Sequence, residues 1–354
     1  MLYQTENQHG GDVYGGGITL DFSANTNPLG TPPGVLEAVC RALPQLYRYP
    51  DPYCRRLVQA IAGHEQVPAS YILCGNGAAD LIYAYCTALR PRTAVELAPT
   101  FVEYGAGLAQ VGCRVERYFL HQAQNFDLDD GVLPFLEEKK PEVVFLCNPN
   151  NPTGRLIPLL LLEQILQYCA AQGARLFLDE CFLDLTEDGV SARSLLAAHP
   201  ELLILKAFTK SYGMAGIRLG YCLCADNALL HDMAAASPPW NVSSPAQSAG
   251  VAALAERDFL QRTLFLVRTE RRWLTDNLTA LGFWVCPSHA NYLLFRGPLG
   301  LREGLLQQGI AIRGCGNYNG LDDGWYRIAV RPHGENEALI TAIRQFCKEK
   351  SLWQ

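Results

Sequence analysis

Ala207-Phe-Thr-Lys-Ser-Tyr-Gly-Met-Ala-Gly-Ile-Arg-Leu-Gly-Tyr221 follows the apolar run Leu202-Leu-Ile-Leu205, whose composition predicts a buried strand. Lys210 lies just past that strand, and Arg218 follows among Gly213, Gly216 and Gly220. A lysine flanked by hydroxyls (Thr209, Ser211), with an arginine nearby, suits a phosphorylated aldehyde. The amine forms a Schiff base while arginine and hydroxyl hold phosphate. A strand followed by a solvated basic loop accounts for the same residues equally well, so the rest of the chain must decide.

The 354-residue chain has room for one large domain and a smaller one, and with 49% hydrophobic and 18% charged residues it can bury a sizeable core. A net charge of −6 argues against a nucleic-acid partner. The 13 cysteines form no C-x-x-C pair and sit largely in apolar runs (Cys74, Cys86, Cys147, Cys169, Cys222, Cys224). That pattern predicts buried free thiols in a reducing compartment and no metal site. The first 30 residues lack the pattern of a signal peptide, and no apolar stretch approaches the length of a membrane span. The expectation is a soluble cytoplasmic protein with no membrane partner.

Glycine, asparagine and proline dominate residues 1–35, which read as an irregular arm packed on a small domain or on a partner subunit. Residues 36–240 are expected to form a large α/β domain. Short apolar runs alternate there with helical stretches, which predicts a mainly parallel sheet covered by helices on both faces. Residues 241–354 are expected to supply one long linking helix, from Ala246 through Leu281, and a small α+β domain. Ligands of such sheets bind beyond the carboxyl ends of the strands. Polar residues fall at those ends: Gly75-Asn-Gly77, Pro99-Thr-Phe101, Asn148-Pro-Asn-Asn-Pro-Thr-Gly154, Asp179-Glu180 and Thr209-Lys210.

Each of these has an ordinary reading and a chemical one. Gly75-Asn-Gly77 before a helix is a tight turn or a phosphate cradle of backbone N–H groups. Asp179 is a helix cap, or the carboxylate that keeps a pyridine ring protonated and electron-withdrawing. Asn151 is a turn residue or a partner for a ring hydroxyl, and Phe101 is core packing or a ring stacker. Taken together with Lys210 they supply a phosphate cradle, a ring stacker, a hydroxyl partner, a ring-nitrogen partner and a Schiff-base lysine.

Asn148-Pro-Asn-Asn-Pro-Thr-Gly154, Leu178-Asp-Glu-Cys-Phe182 and Thr209-Lys-Ser-Tyr-Gly-Met-Ala-Gly-Ile-Arg-Leu-Gly-Tyr221 resemble the signature of fold-type-I pyridoxal-phosphate enzymes of the class I/II aminotransferase group. The resemblance covers nearly the whole chain. It implies a homodimer with shared active sites, Lys210 as the Schiff-base residue and Asp179 as the partner of the ring nitrogen. Asn151 would bond the ring oxygen and Phe101 would stack on the ring. Gly77, Ala78, Ala79, Thr209 and Arg218 would hold the cofactor phosphate, with Tyr49 reaching it from the other subunit. Arg327 would clamp a substrate carboxylate. Two departures stand out. Ala207 replaces a serine or threonine that binds phosphate in many relatives, and Phe182 replaces a tyrosine that touches the ring oxygen.

Two branches of the group remain open. One is the histidinol-phosphate (or aromatic) aminotransferases that use 2-oxoglutarate, and the other is the threonine-phosphate decarboxylases of cobalamin synthesis. His9-Gly-Gly11, Asp21-Phe-Ser-Ala-Asn-Thr-Asn-Pro-Leu-Gly30, Phe182 and Arg313-Gly-Cys-Gly-Asn-Tyr-Asn-Gly-Leu-Asp322 resemble the decarboxylases more closely. Either branch takes a small phosphorylated amine. Arginine binds phosphate bidentately, so Arg313 is the expected substrate-phosphate ligand. His9, Gly10 and Asn25 would complete that pocket, with Arg331 as a second candidate. A protein of this fold that binds the cofactor without catalysis is the third reading.

Overall fold

The computed structural model describes residues 9–350. Seven strands form the central sheet, in the order Ile72–Gly75, Gly220–Cys224, Leu202–Ala207, Arg175–Asp179, Val143–Cys147, Thr93–Ala98, Arg114–Phe119. The middle strands are buried along their length and read as continuous apolar runs, as strands covered on both faces must. All neighbours are parallel except Gly220–Cys224, which runs antiparallel to both of its partners. Arg114–Phe119 forms one edge, its two end residues exposed and the four between them half-buried. That edge strand offers no apolar run, and the sequence pattern gives no sign of it.

A second, four-stranded antiparallel sheet takes the order Arg313–Gly314, Trp325–Ala329, Tyr292–Arg296, Trp284–Val285. Helices Leu301–Gln307 and His333–Glu349 cover it. The arm is stitched to this unit. Leu20–Asp21 pairs in parallel with Ile310–Ala311, Phe22 packs in the same apolar cluster, and the Phe22 carbonyl accepts the Ala329 N–H at 2.8 Å.

The single linking helix expected over 246–281 is two helices, Ser244–Ala255 and Phe259–Ala280, broken at Glu256, whose backbone leaves the helical region. The first is made largely of small residues. Gly250 lets it press so close to Leu57 and Leu219 that a Cβ would fall 2.6 Å from each. No helix among the described residues is long and apolar enough to cross a membrane.

Beneath the strand that leads to Lys210 lies a buried ionic network. Lys206 Nζ sits 3.0 Å from Asp184 and 3.4 Å from Glu65, and Ser211 donates to Asp184 at 2.9 Å. Tyr221 and Arg193 also donate to Glu65. Ser211 is therefore committed to the scaffold and faces away from the cofactor pocket its position had suggested. Although burial opposes ionisation, the Lys206 ammonium holds both Glu65 and Asp184 below the usual carboxylate range. Removing one partner of such a group strands the other charges in the interior. Lys206→Met is expected to destabilise the fold by about 3–5 kcal/mol, read as a lowered denaturant midpoint at unchanged slope.

Candidate active site

Lys210 stands in the short helix Phe208–Ser211 at the carboxyl end of its strand. Neighbouring strand ends bring Asp179 and Asn151 beside it, and the first turn of helix Gly77–Leu89 brings Ala78 and Ala79. Phe101, Thr209 and Arg218 line the same cavity. The small sheet adds Arg313 and Arg327, and the arm adds His9, Gly10 and Asn25. Of the site residues selected from the sequence, Gly77, Tyr49 and Arg331 lie off the lining.

Gly77 has a structural role one layer back. Its φ is +82°, and a Cβ there would fall 2.5 Å from Arg218 Nη2. Arg218 can lie against the N-terminus of this helix only because that side chain is missing. A cation and free N–H groups then face one spot, as an anion requires. Tyr49 is 78% exposed and stacks on Trp240 at 4.6 Å between ring centroids, away from this cavity.

Burial pushes the Lys210 amine down to about 8, and the Arg327 and Arg218 guanidinium groups push the same way. Its Nζ lies 5.5 Å from the centre of the Phe182 ring. Phe182 therefore offers the lysine a hydrophobic face, where a tyrosine would offer a hydroxyl. Asp179 is buried, and its carboxylate accepts the Tyr104 hydroxyl at 2.6 Å and the Cys181 N–H at 2.9 Å. Burial holds its carboxyl above the usual range despite those bonds. A protonated ring nitrogen brought against it would reverse that desolvation penalty. Tyr104 escaped selection from sequence alone. Its ring meets that of Phe101, just before the helix, edge-on at 5.6 Å between centroids.

Arg313 lies on the two-residue strand Arg313–Gly314, directly opposite Arg327 in the antiparallel register. Both are buried, at 8% and 6% exposure. Arg327 donates to the Asn151 side chain and, through Nη2, to the Ser23 carbonyl at 2.9 Å. Arg313 donates to Asn317 at 2.6 Å and packs on the Tyr318 ring. Two adjacent buried guanidinium groups repel each other, and anionic groups between them relieve the cost. Asn25 is also buried, and neither atom of its amide has a hydrogen-bond partner. Such a group in a cavity is built for a ligand. Arg331 corrects an expectation. It pairs with Glu335 at 3.0 Å on the following helix and is no part of the cavity lining.

Residues 18–346 match the family model of class I and II aminotransferases. The chain belongs to that family. It is 40% identical over 329 residues to a threonine-phosphate decarboxylase of Salmonella typhimurium, a match that spans 92% of this chain and 90% of that one. Among solved structures it resembles the histidinol-phosphate aminotransferase of Clostridium acetobutylicum, with a TM-score of 0.87 and 28% identity over 93% of this chain and 99% of that one. It also resembles the L-threonine-O-3-phosphate decarboxylase of Porphyromonas gingivalis, with a TM-score of 0.83 and 25% identity over the same shares. Pyridoxal 5'-phosphate fits the cavity described above. The cradle of Ala78, Ala79, Thr209 and Arg218 suits its phosphate, Asp179 its ring nitrogen, and Lys210 its aldehyde.

Proposed function

We propose that this chain is a pyridoxal-phosphate-dependent carboxy-lyase that converts O-phospho-L-threonine to aminopropanol phosphate for the nucleotide loop of cobalamin. The supporting observation is the register pair Arg313–Arg327. Directly opposed residues of an antiparallel pair have Cα atoms only about 4.5–5.5 Å apart. One compact substrate with a carboxylate and a phosphate on neighbouring carbons can engage both. Histidinol phosphate has no carboxylate of its own, so in the aminotransferase reading the carboxylate at Arg327 would come from 2-oxoglutarate. No single substrate would then engage both arginines with a carboxylate and a phosphate. The Salmonella relative adds weight to this reading.

When bound, the cofactor supplies an aldehyde that condenses with amines and a ring that draws electrons from the attached Cα. The chain does the rest. Lys210 is a better nucleophile near neutral pH than an ordinary lysine, because burial lowers its pKa to about 8 and so raises the unprotonated share. Asp179, steadied by Tyr104, would hold the ring-nitrogen proton, and Phe101 would pack on the ring. Asn151 would bond the ring oxygen. Arg327 would grip the carboxylate, with Arg313, His9, Gly10 and Asn25 around the phosphate. The two arginines together would fix how the substrate's Cα substituents are presented, and so which bond breaks. Carbon dioxide would leave without its bonding pair, and Lys210 would return a proton to Cα.

A second copy of the chain is part of this reading. Tyr47, Tyr49, Tyr53 and Trp240 are exposed on one protomer, as is Arg218 at the edge of the cavity. A homodimer would cover that aromatic surface and bring Tyr49 to its partner's cofactor phosphate. The 13 free thiols suit the reducing cytoplasm.

The deciding experiment offers phosphothreonine to the holoenzyme without any 2-oxo acid. Release of CO2 with stoichiometric aminopropanol phosphate is expected. Glutamate formed from histidinol phosphate and 2-oxoglutarate, with no CO2 from phosphothreonine, would establish the aminotransferase instead.

A further inference from the structure

His9 lies on the cavity wall, yet what holds it there lies outside the cavity. Its Nε2 is 2.7 Å from Glu103 Oε1, and Glu103 Oε2 accepts the Tyr83 hydroxyl at 2.7 Å. The bond from His9, and then that from Tyr83, keep the Glu103 carboxyl below its usual range. On its other flank the arm is fixed to Ser23. The Gly11 N–H donates to Ser23 Oγ at 2.8 Å, and Gly10 passes so close that a Cβ would fall 2.1 Å from the Ser23 carbonyl oxygen. That same carbonyl accepts Arg327. His9, Gly10 and Ser23 line both the active-site cavity and an adjoining outer cavity of about 420 Å³ that runs on to Arg302. The arm is therefore the partition between the two spaces at the end where Arg313 stands. Ser23 anchors one side of it and Glu103 the other.

We propose that Glu103, backed by Tyr83, is a positioning residue that latches residues 9–11 over the phosphate end of the substrate. The proposal rests on the phosphorylated substrate inferred above. Glu103 acts through His9 and touches no reacting atom. With the latch made, the partition keeps water from the anion and His9 beside it. With the latch broken, the phosphate end opens onto the outer cavity, and substrate binding suffers while chemistry at Cα does not.

In the holoenzyme, Glu103→Ala is expected to raise KM for phosphothreonine about tenfold with kcat within about twofold, the pattern of a lost uniform binding contribution. Glu103→Gln keeps a hydrogen bond to His9 and should recover most of that loss. In a His9→Ala background, Glu103→Ala should add nothing further. A fall in kcat at unchanged KM, or an equal loss when His9 is already gone, would overturn the latch. Amide hydrogen exchange across residues 9–17 gives an independent readout, with inorganic phosphate as the probe. Phosphate should slow exchange in the parent protein and fail to do so in Glu103→Ala, whereas identical behaviour of the two proteins would overturn the proposal. That measurement decides the latch even if phosphothreonine releases no CO2, so failure of the reaction and failure of the latch are told apart.

Discussion

Lys210→Ala is expected to lower CO2 release from phosphothreonine by at least about 10³-fold, since it removes both the nucleophile and the nearest proton donor. The visible absorption band of the protein–cofactor complex should vanish with it. The cofactor would still find its phosphate cradle, so weak non-covalent binding should remain. A visible band that survives the substitution would mean that another amine is the anchor. The same lysine makes a pH prediction. Its amine is held at about 8, well under the ordinary lysine range, because burial and two guanidinium groups disfavour the charge. Only the neutral amine attacks an aldehyde. The rate at which the apo protein takes up pyridoxal phosphate should therefore climb about tenfold per pH unit below 8 and level off near pH 9. An ordinary lysine would go on climbing past pH 10. Stopped-flow absorbance across that range separates the two cases.

Arg313→Ala is expected to lower kcat/KM for phosphothreonine by about 10²–10³-fold, the usual consequence of losing a buried partner of a charged group. Activity on threonine, which lacks the phosphate, should change by less than about threefold. Arg313→Lys should restore little, because an ammonium cannot reproduce the planar fork and cannot stack on Tyr318 in the same way. An equal loss on both substrates would show that Arg313 is there to hold the small sheet together.

The cofactor side of the site was legible in the sequence because most of its residues follow the carboxyl end of a strand. A buried parallel strand announces itself as an apolar run, and whatever polar residue follows must lie at the ligand-binding edge. Asp179, Asn151 and Lys210 are found in that way. The substrate side was only half legible. Arg313 and Arg327 stand out as arginines, but their direct opposition depends on a two-residue strand too short to leave a pattern. Tyr104 was obscured because a tyrosine in an apolar helix reads as core, and it is core except for its hydroxyl. Lys206 and its carboxylate partners come from three distant segments, and no local rule joins them. The break at Glu256 was missed for a different reason. Residues 256–258 carry no proline or glycine, and the apolar spacing on either side is helical.

The antiparallel strand Gly220–Cys224 has a consequence for how such an enzyme can change its chemistry. Ala207 and Gly220 face each other in the ladder, so Lys210 and Arg218 hang from one backbone pair, just beyond and just before it. Anchor and phosphate grip thus share a single foundation in the seven-stranded sheet. Arg313 and Arg327, the two arginines proposed to orient a substrate, hang from a different pair in a different sheet. Mutations in the small sheet other than at Arg327, whose guanidinium donates to Asn151, would alter which substrate is held, and at what angle, without touching the cofactor's own contacts. A lineage can move from amino transfer to decarboxylation by remodelling one sheet while the other goes on performing the same task.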